Sequence, residues 1–127
     1  MTVRRATPDD HLTVVRILDA AMLETDASEV RKRIDAGDVL VAEDDGRILG
    51  AAVTESRESD GYLDSIAVRR ARRGQGIGTA LVEAARDRHG TLTAEFDPSV
   101  RAFYESLEFD VESTEERRLR GVLESED

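Results

Sequence analysis

The sequence predicts a single small α/β domain, and three observations lead there. Runs with strand alternation and runs with helical spacing follow one another along the whole chain. A glycine-rich turn, Arg73-Gly74-Gln75-Gly76-Ile77-Gly78, sits between one of the strands and the helix after it. With 127 residues, 39% of them hydrophobic, there is material for one core and no length for a second, so residues 1–127 read as one domain.

Thr2 to Ala6 reads as a short strand. Thr7-Pro8-Asp9-Asp10 then starts a helix, with Thr7 placed to cap, Pro8 at the first helical position and Asp10 completing a capping box. Leu12, Val15, Leu18 and Met22 follow at helical spacing as its buried stripe. A second helix from about Ala27 to Ala36 ends near Gly37. Strands Val39 to Glu43 and Arg47 to Thr54 are joined by Asp45-Gly46, a dipeptide suited to the positive φ angles of a tight hairpin. The strand Tyr62 to Val68 leads into the glycine turn, after which Ile77, Ala80, Leu81, Ala84 and Ala85 mark a helix. Thr91 to Phe96 is another strand. Asp97-Pro98 caps a helix carrying Val100, Phe103 and Leu107, weak strands near Phe109 to Ser113 and Arg118 to Leu123 follow, and Glu124 to Asp127 is expected to fray.

Composition narrows the chemistry. The absence of cysteine removes disulfides, zinc-thiolate sites and thiol nucleophiles, and two histidines, His11 and His89, make a histidine-rich metal site improbable, so no metal is expected. A net charge of −10 argues against nucleic acid as partner, because a phosphate backbone is held by a positive field. No apolar run is long enough to span a bilayer and the first residues lack a signal-peptide pattern, so the expected setting is cytoplasmic, with no membrane partner. Lys32 is the sole lysine among 18 basic residues, against 28 acidic ones, a balance that looks halophilic.

Backbone N–H groups at a helix N-terminus are unpaired and lie at the positive end of the helix dipole, so a turn that lets them converge makes an anion site. Gly74, Gly76 and Gly78 provide that freedom, and Arg69, Arg70, Arg72 and Arg73 invert the sign of charge locally. The bland alternative is a glycine-rich β-to-α turn flanked by solvated arginines. A dinucleotide fold would place G-x-G-x-x-G after the first strand and a P-loop would need G-K-[ST]; neither is present.

Arg73-x-x-Gly76-x-Gly78, preceded by Ser65-Ile66-Ala67-Val68, resembles the acetyl-CoA signature of the GNAT superfamily, [RQ]-x-x-G-x-[GA]. The resemblance extends to Val3 to Asp10, to Val41 to Gly46 with Leu49-Gly50, and to Phe103-Tyr104-Glu105-Ser106-Leu107-Glu108-Phe109, similar to the family's F-Y-x-x-L-G-F segment. It implies a mixed, mostly antiparallel central sheet of six to seven strands flanked by about four helices. It also implies an acetyl-CoA-dependent N-acetyltransferase acting on a primary amine by direct attack in a ternary complex. Acetyl-CoA is then a cosubstrate, held by Ile66, Ala67 and Val68 along its pantetheine arm and by Arg73, Gly74, Gln75, Gly76, Ile77, Gly78 and Thr79 at its pyrophosphate.

By the same resemblance Tyr104 is the proton donor to the departing thiolate, and Asp97 falls where relatives often carry a cofactor-contacting asparagine. Tyr104 read alone is equally a packed aromatic, and Asp97 before Pro98 a helix cap. A carboxylate facing the acceptor must take up the amine proton; Glu95 is the candidate on position, with Asp60 and Asp64 as alternatives. His89 reads as a helix-end residue and His11 as a surface one.

Two departures stand out. Glu108 replaces the glycine of L-G-F, which puts the tight turn before Phe109 in question, and the chain after Phe109 is short for the family, which leaves room for completion by a homodimer. The Ser65 to Arg70 run is similar to the RimI-like, N-terminal acetyltransferase branch, whose peptide-holding tyrosines are missing from Glu112 to Leu123. The acceptor is therefore a protein N-terminus or a small amine. The competing class is a GNAT-like fold that binds acyl-CoA or a partner chain without turnover.

Overall fold

The computed structural model describes residues 1–21, 25–114 and 118–124. In chain order the elements are β1 (Thr2–Arg5), α1 (His11–Ala20), α2 (Ala27–Asp35), β2 (Val39–Asp44), β3 (Arg47–Ser56), β4 (Gly61–Val68), α3 (Ile77–His89), β5 (Leu92–Phe96), α4 (Arg101–Ser106), β6 (Asp110–Ser113) and β7 (Leu119–Leu123), with 3-10 turns at Pro8–Asp10, Arg70–Arg72 and Pro98–Val100. The seven strands form one mixed sheet in the order β1-β2-β3-β4-β5-β7-β6. Among the described residues, seven strands and four α-helices agree with the expected architecture. Among the described residues no helix is long and apolar enough to cross a membrane.

Strand alternation sends side chains to both faces of this sheet. Leu40 and Ala42 on β2 pack with α3 and α4, while Val39 and Val41 pack with α1 and α2. The Asp45-Gly46 hairpin forms as expected, with φ of 49° and 79° at its two residues. At the start of α1, the Asp10 carboxylate accepts from the Thr7 backbone N–H at 2.7 Å and from the Arg4 guanidinium at 2.8 Å. Arg4 also reaches Glu43 at 2.6 Å, tying β1, β2 and α1 together, and its hydrogen bond holds the Asp10 carboxyl below the usual carboxylate range.

Two buried stripes differ from the expected ones. In α1 the buried residues are Val14, Ile17 and Leu18, whereas Leu12 is 59% exposed; Met22 lies outside the described residues, as do 125–127 of the expected frayed end. Leu12 follows the 3-10 turn at Pro8–Asp10, and the α-helical stripe is set by Val14 and Ile17, three apart. In the last helix Val100 and Phe103 are 40% and 42% exposed, while Tyr104 and Leu107 are buried.

All neighbouring strands run antiparallel except β4 and β5, which pair in parallel only at Gly61↔Leu92 and Tyr62↔Thr93. Past that point β4 continues to Val68 without its partner. The register of β3 on β4 also shifts, from Val53↔Ser65 to Thr54↔Leu63, so Asp64 is the extra residue of a β-bulge. The bulge resets the alternation: Leu63 and Ile66, three residues apart, face the same core. Bulge and parting strands open the middle of the sheet, and the functional site lies there.

Candidate active site

β4 ends at Val68 and the chain then crosses to α3 through the glycine turn. Gly74 and Gly76 sit at φ of +78° and +82°, a left-handed conformation that glycine takes without strain. A Cβ at either would meet nothing within 4 Å, so it is the backbone conformation that calls for glycine here. Gly76 is the N-cap of α3 and makes no side-chain cap, so the first N–H groups of the helix are left for another acceptor. They border a cleft of ≈ 400 Å³, whose lining includes Ile66, Ala67, Val68, Arg73, Gly74, Gly76, Ile77, Gly78 and Thr79. Among the described residues no carboxylate lines it. Of the residues expected to hold the cofactor, Gln75 and Asp97 do not line this cleft: the Gln75 amide oxygen accepts at 3.5 Å from Arg72, which does line it, and Asp97 borders a second cleft.

A second cleft of ≈ 370 Å³ opens where β4 and β5 diverge. Asp64, Ser65 and Ile66 border it from β4, Glu95 and Phe96 from β5, Asp97 from the turn that follows, Tyr104 from α4 and Arg118 from the approach to β7. The two clefts share Ala21, Ile66 and Phe103 and therefore meet across the parting strands. The half-exposed Phe103 is thus a wall between chambers, which accounts for its absence from the core.

Tyr104 is 8% exposed and held on three sides by rings. Its ring lies 3.9 Å from that of Phe96 at 4°, and Phe103 and Phe109 meet it edge-on at 5.3 Å and 5.5 Å. Burial pushes its hydroxyl up to about 12, so it keeps its proton across the whole physiological range. Among the described residues no hydrogen bond engages that hydroxyl, and the tyrosine borders the second cleft.

The carboxylates divide by geometry. Glu95 is exposed on β5, and its backbone carbonyl accepts from the Arg118 guanidinium at 2.9 Å. Asp64, in the bulge, faces Arg33 of α2 at 3.5 Å, and Arg33 also meets Glu29 and Glu55. Asp97 accepts from the Ser99 N–H at 2.9 Å, a cap that draws its carboxyl below the usual range. Asp60 borders neither cleft; it lies in the turn before β4, close enough to His89 to favour that ring's charged form. His89 itself bonds Thr54 Oγ1 at 3.1 Å through Nε2.

Arg118 and Ala21 line the site without having been singled out from the sequence, and Phe103 was marked there as part of a helical stripe and not as a cleft residue. Nothing in periodicity marks them as lining a cleft, since each reaches the clefts through the placement of its element. Among the described residues no group of three or more histidine and carboxylate side chains is arranged to hold a metal ion.

A seven-stranded sheet that parts beside a glycine turn, with one chamber on each side of the opening, defines the class. Residues 35–111 match the family model of the acetyltransferase (GNAT) domain. The chain belongs to this GNAT acetyltransferase family and is an acyltransferase. Its fold is that of solved members: Ard1 from Thermoplasma volcanium superposes with a TM-score of 0.82 at 17% identity, covering 99% of this chain and 98% of that one. The yncA protein of Salmonella typhimurium, solved with its cofactor acetyl-CoA, gives 0.77 at 19% identity over 100% and 95%. The ribosomal-protein-S18-alanine N-acetyltransferase of Escherichia coli gives 0.73 at 21% over 95% and 90%. No curated protein sequence matches the chain.

Proposed function

We infer that residues 1–127 work as one cytoplasmic domain that moves an acetyl group from acetyl-CoA to a primary amine by direct attack in a ternary complex. The observation that carries the reading is the meeting of two chambers at Ile66 and Phe103, one bordered by the glycine turn, the other by Tyr104 and carboxylates. The likeness to yncA, which was solved with acetyl-CoA, supports the same cosubstrate here.

In this reading the free N–H groups at the start of α3, with Arg73 beside them, hold the pyrophosphate. Ile66, Ala67 and Val68 offer the edge that β4 no longer shares with β5 to the pantetheine arm. The amine enters the second chamber and loses its proton to Glu95, directly or through water. Its nitrogen then bonds to the acetyl carbon, the carbon–sulfur bond breaks, the sulfur leaves as a thiolate, and the nitrogen's surplus proton passes to that thiolate, giving the amide and the free thiol. A thiol titrates near 8.5 and the Tyr104 phenol at about 12, so Tyr104 stabilises the departing thiolate chiefly as a hydrogen-bond donor. Asp64 is tied to Arg33 and serves less well as the base. Asp97 contributes by capping the turn that carries Val100 towards the acceptor chamber. The acceptor is a protein N-terminus or a small amine, and the kinship with the alanine N-acetyltransferase supports the first.

The test is thiol release from acetyl-CoA against a panel of small amines and N-terminal peptides, with wild type and Tyr104→Phe in parallel. The reading requires amine-dependent release that the variant loses; release with no amine dependence would contradict it.

A further inference from the structure

A third depression, of ≈ 270 Å³, lies on the α1 side of the glycine turn, and among the described residues its lining carries one kind of charge only. Arg16, Ile17 and Ala20 border it from α1 and Ala21 from just beyond, Val68, Arg69, Arg70 and Arg73 from the end of β4 and the turn, and no carboxylate is among these described residues. In a chain of 28 acidic and 18 basic residues that is unusual. Eight arginines elsewhere, Arg4, Arg31, Arg33, Arg57, Arg86, Arg88, Arg101 and Arg120, each sit within ion-pair distance of an acid, while among the described residues Arg5, Arg47, Arg72 and Arg118 do not.

The four arginines here are arranged differently. Arg69 Nε donates to the Ile48 carbonyl at 2.7 Å and Arg73 Nε to the Val68 carbonyl at 3.3 Å. Those bonds anchor each guanidinium by one edge, and among the described residues its terminal nitrogens have no hydrogen-bond partner. Arg16 and Arg70 have no hydrogen-bond or ion-pair partner among the described residues. Four like charges around one depression repel, and an anion between them removes the repulsion. Planar guanidinium forks suit the oxygens of a phosphate.

We propose that this depression is a phosphate site, beside the pyrophosphate position at the glycine turn and sharing Arg73 with it, which takes a phosphate monoester group chiefly through Arg16, Arg69 and Arg70. The group has two sources, the ribose 3′-phosphate of the bound coenzyme or an independent phosphate-bearing molecule. Free phosphate binding does not depend on the acyl-transfer reading; only the coenzyme source rests on it.

The experiment compares wild type with Arg16→Gln/Arg70→Gln, two exposed positions outside the glycine turn whose replacement leaves the core untouched. Melting is followed at constant ionic strength with inorganic phosphate replacing chloride, and CoA and dephospho-CoA are titrated by calorimetry. The site predicts a rise in Tm of about 3 °C for wild type in saturating phosphate, lost in the double variant. It also predicts that without phosphate the double variant melts no lower than wild type. If the 3′-phosphate is the source, wild type prefers CoA over dephospho-CoA by about tenfold and the variant loses the preference; if the source is independent, the phosphate response is lost while both coenzyme forms bind alike. A phosphate response retained by the variant, or no difference between the two proteins in either assay, overturns the proposal. Failure of both coenzymes to bind, with the phosphate response intact, would count against the acyl-transfer reading and leave this site standing.

Discussion

The Tyr104 ring lies on the Phe96 ring with centroids 3.9 Å apart and planes 4° from parallel, so the last residue of β5 fixes the tyrosine on α4. Phe96 is buried in the main core, and the stack leaves the Tyr104 hydroxyl free to border the acceptor chamber. Tyr104→Phe should keep the stack and the fold. Turnover should fall by about 10² while acetyl-CoA affinity stays within twofold, read by kcat and by titration. With the hydroxyl pushed up to about 12, kcat/KM should show no descending limb from Tyr104 below about pH 11. Phe96→Ala should instead destabilise the protein by about 3 kcal/mol in a denaturant melt.

Glu108 takes a left-handed φ of +71° immediately after α4. The Phe109 N–H bonds the Tyr104 carbonyl at 3.2 Å and the Glu108 N–H the Glu105 carbonyl at 2.9 Å, the paired bonds of a Schellman cap. The turn that a glycine would make is therefore made by a glutamate, at a conformational cost. Glu108→Gly should raise stability by about 1 kcal/mol, with no change in KM for acetyl-CoA. A loss of stability would show that the glutamate side chain contributes more than its backbone strain costs.

How far this was legible from residues alone depends on what each feature needs. The hairpin at Asp45-Gly46, the cap at Thr7 to Asp10 and the helix after Gly76 are written in local residue chemistry, and they form where the sequence puts them. The Asp64 bulge is not, because a register shift belongs to two strands at once and neither strand alone encodes it. Val100 and Phe103 carry helical spacing yet line chambers, since apolar periodicity does not distinguish a core face from a cleft wall. The arginine depression was half visible: the run Arg69 to Arg73 stands out, but Arg16 joins it only because α1 packs across the end of β4.

Gly61 begins β4 directly against His89. A Cβ at Gly61 would lie 2.2 Å from the imidazole Cγ, so Gly61→Ala should cost about 2 kcal/mol unless the ring gives up its bond to Thr54. Burial draws the His89 ring below its ordinary value, with Arg88 adding to this and Asp38 and Asp60 opposing it. The folded protein thus prefers the neutral ring and binds fewer protons there than the unfolded chain. That preference is without cost above the unfolded value of about 6.5, and stability is lost as pH falls below it. Denaturation midpoints should drop between pH 7 and 5, and His89→Gln should flatten the slope.

The carboxylates are separable by substitution. Glu95→Gln should lower kcat/KM for an amine by about 10². Asp60→Asn, which borders neither cleft, should leave it within twofold. Should Asp64→Asn match the loss in Glu95→Gln, the proton would be leaving through the bulge rather than through β5.

The central claim is that the turn from Arg73 to Gly78 holds acetyl-CoA, and calorimetric titration of the protein with acetyl-CoA tests it most directly. Gly76→Asp is the control, because it brings negative charge to the start of α3 where a Cβ meets nothing within 4 Å, and a melt measures separately the strain of an aspartate at φ of +82°. The account predicts saturable one-to-one binding by the wild type that Gly76→Asp reduces by at least about tenfold with the fold retained. No binding by the wild type, or equal binding by the two proteins, would contradict it.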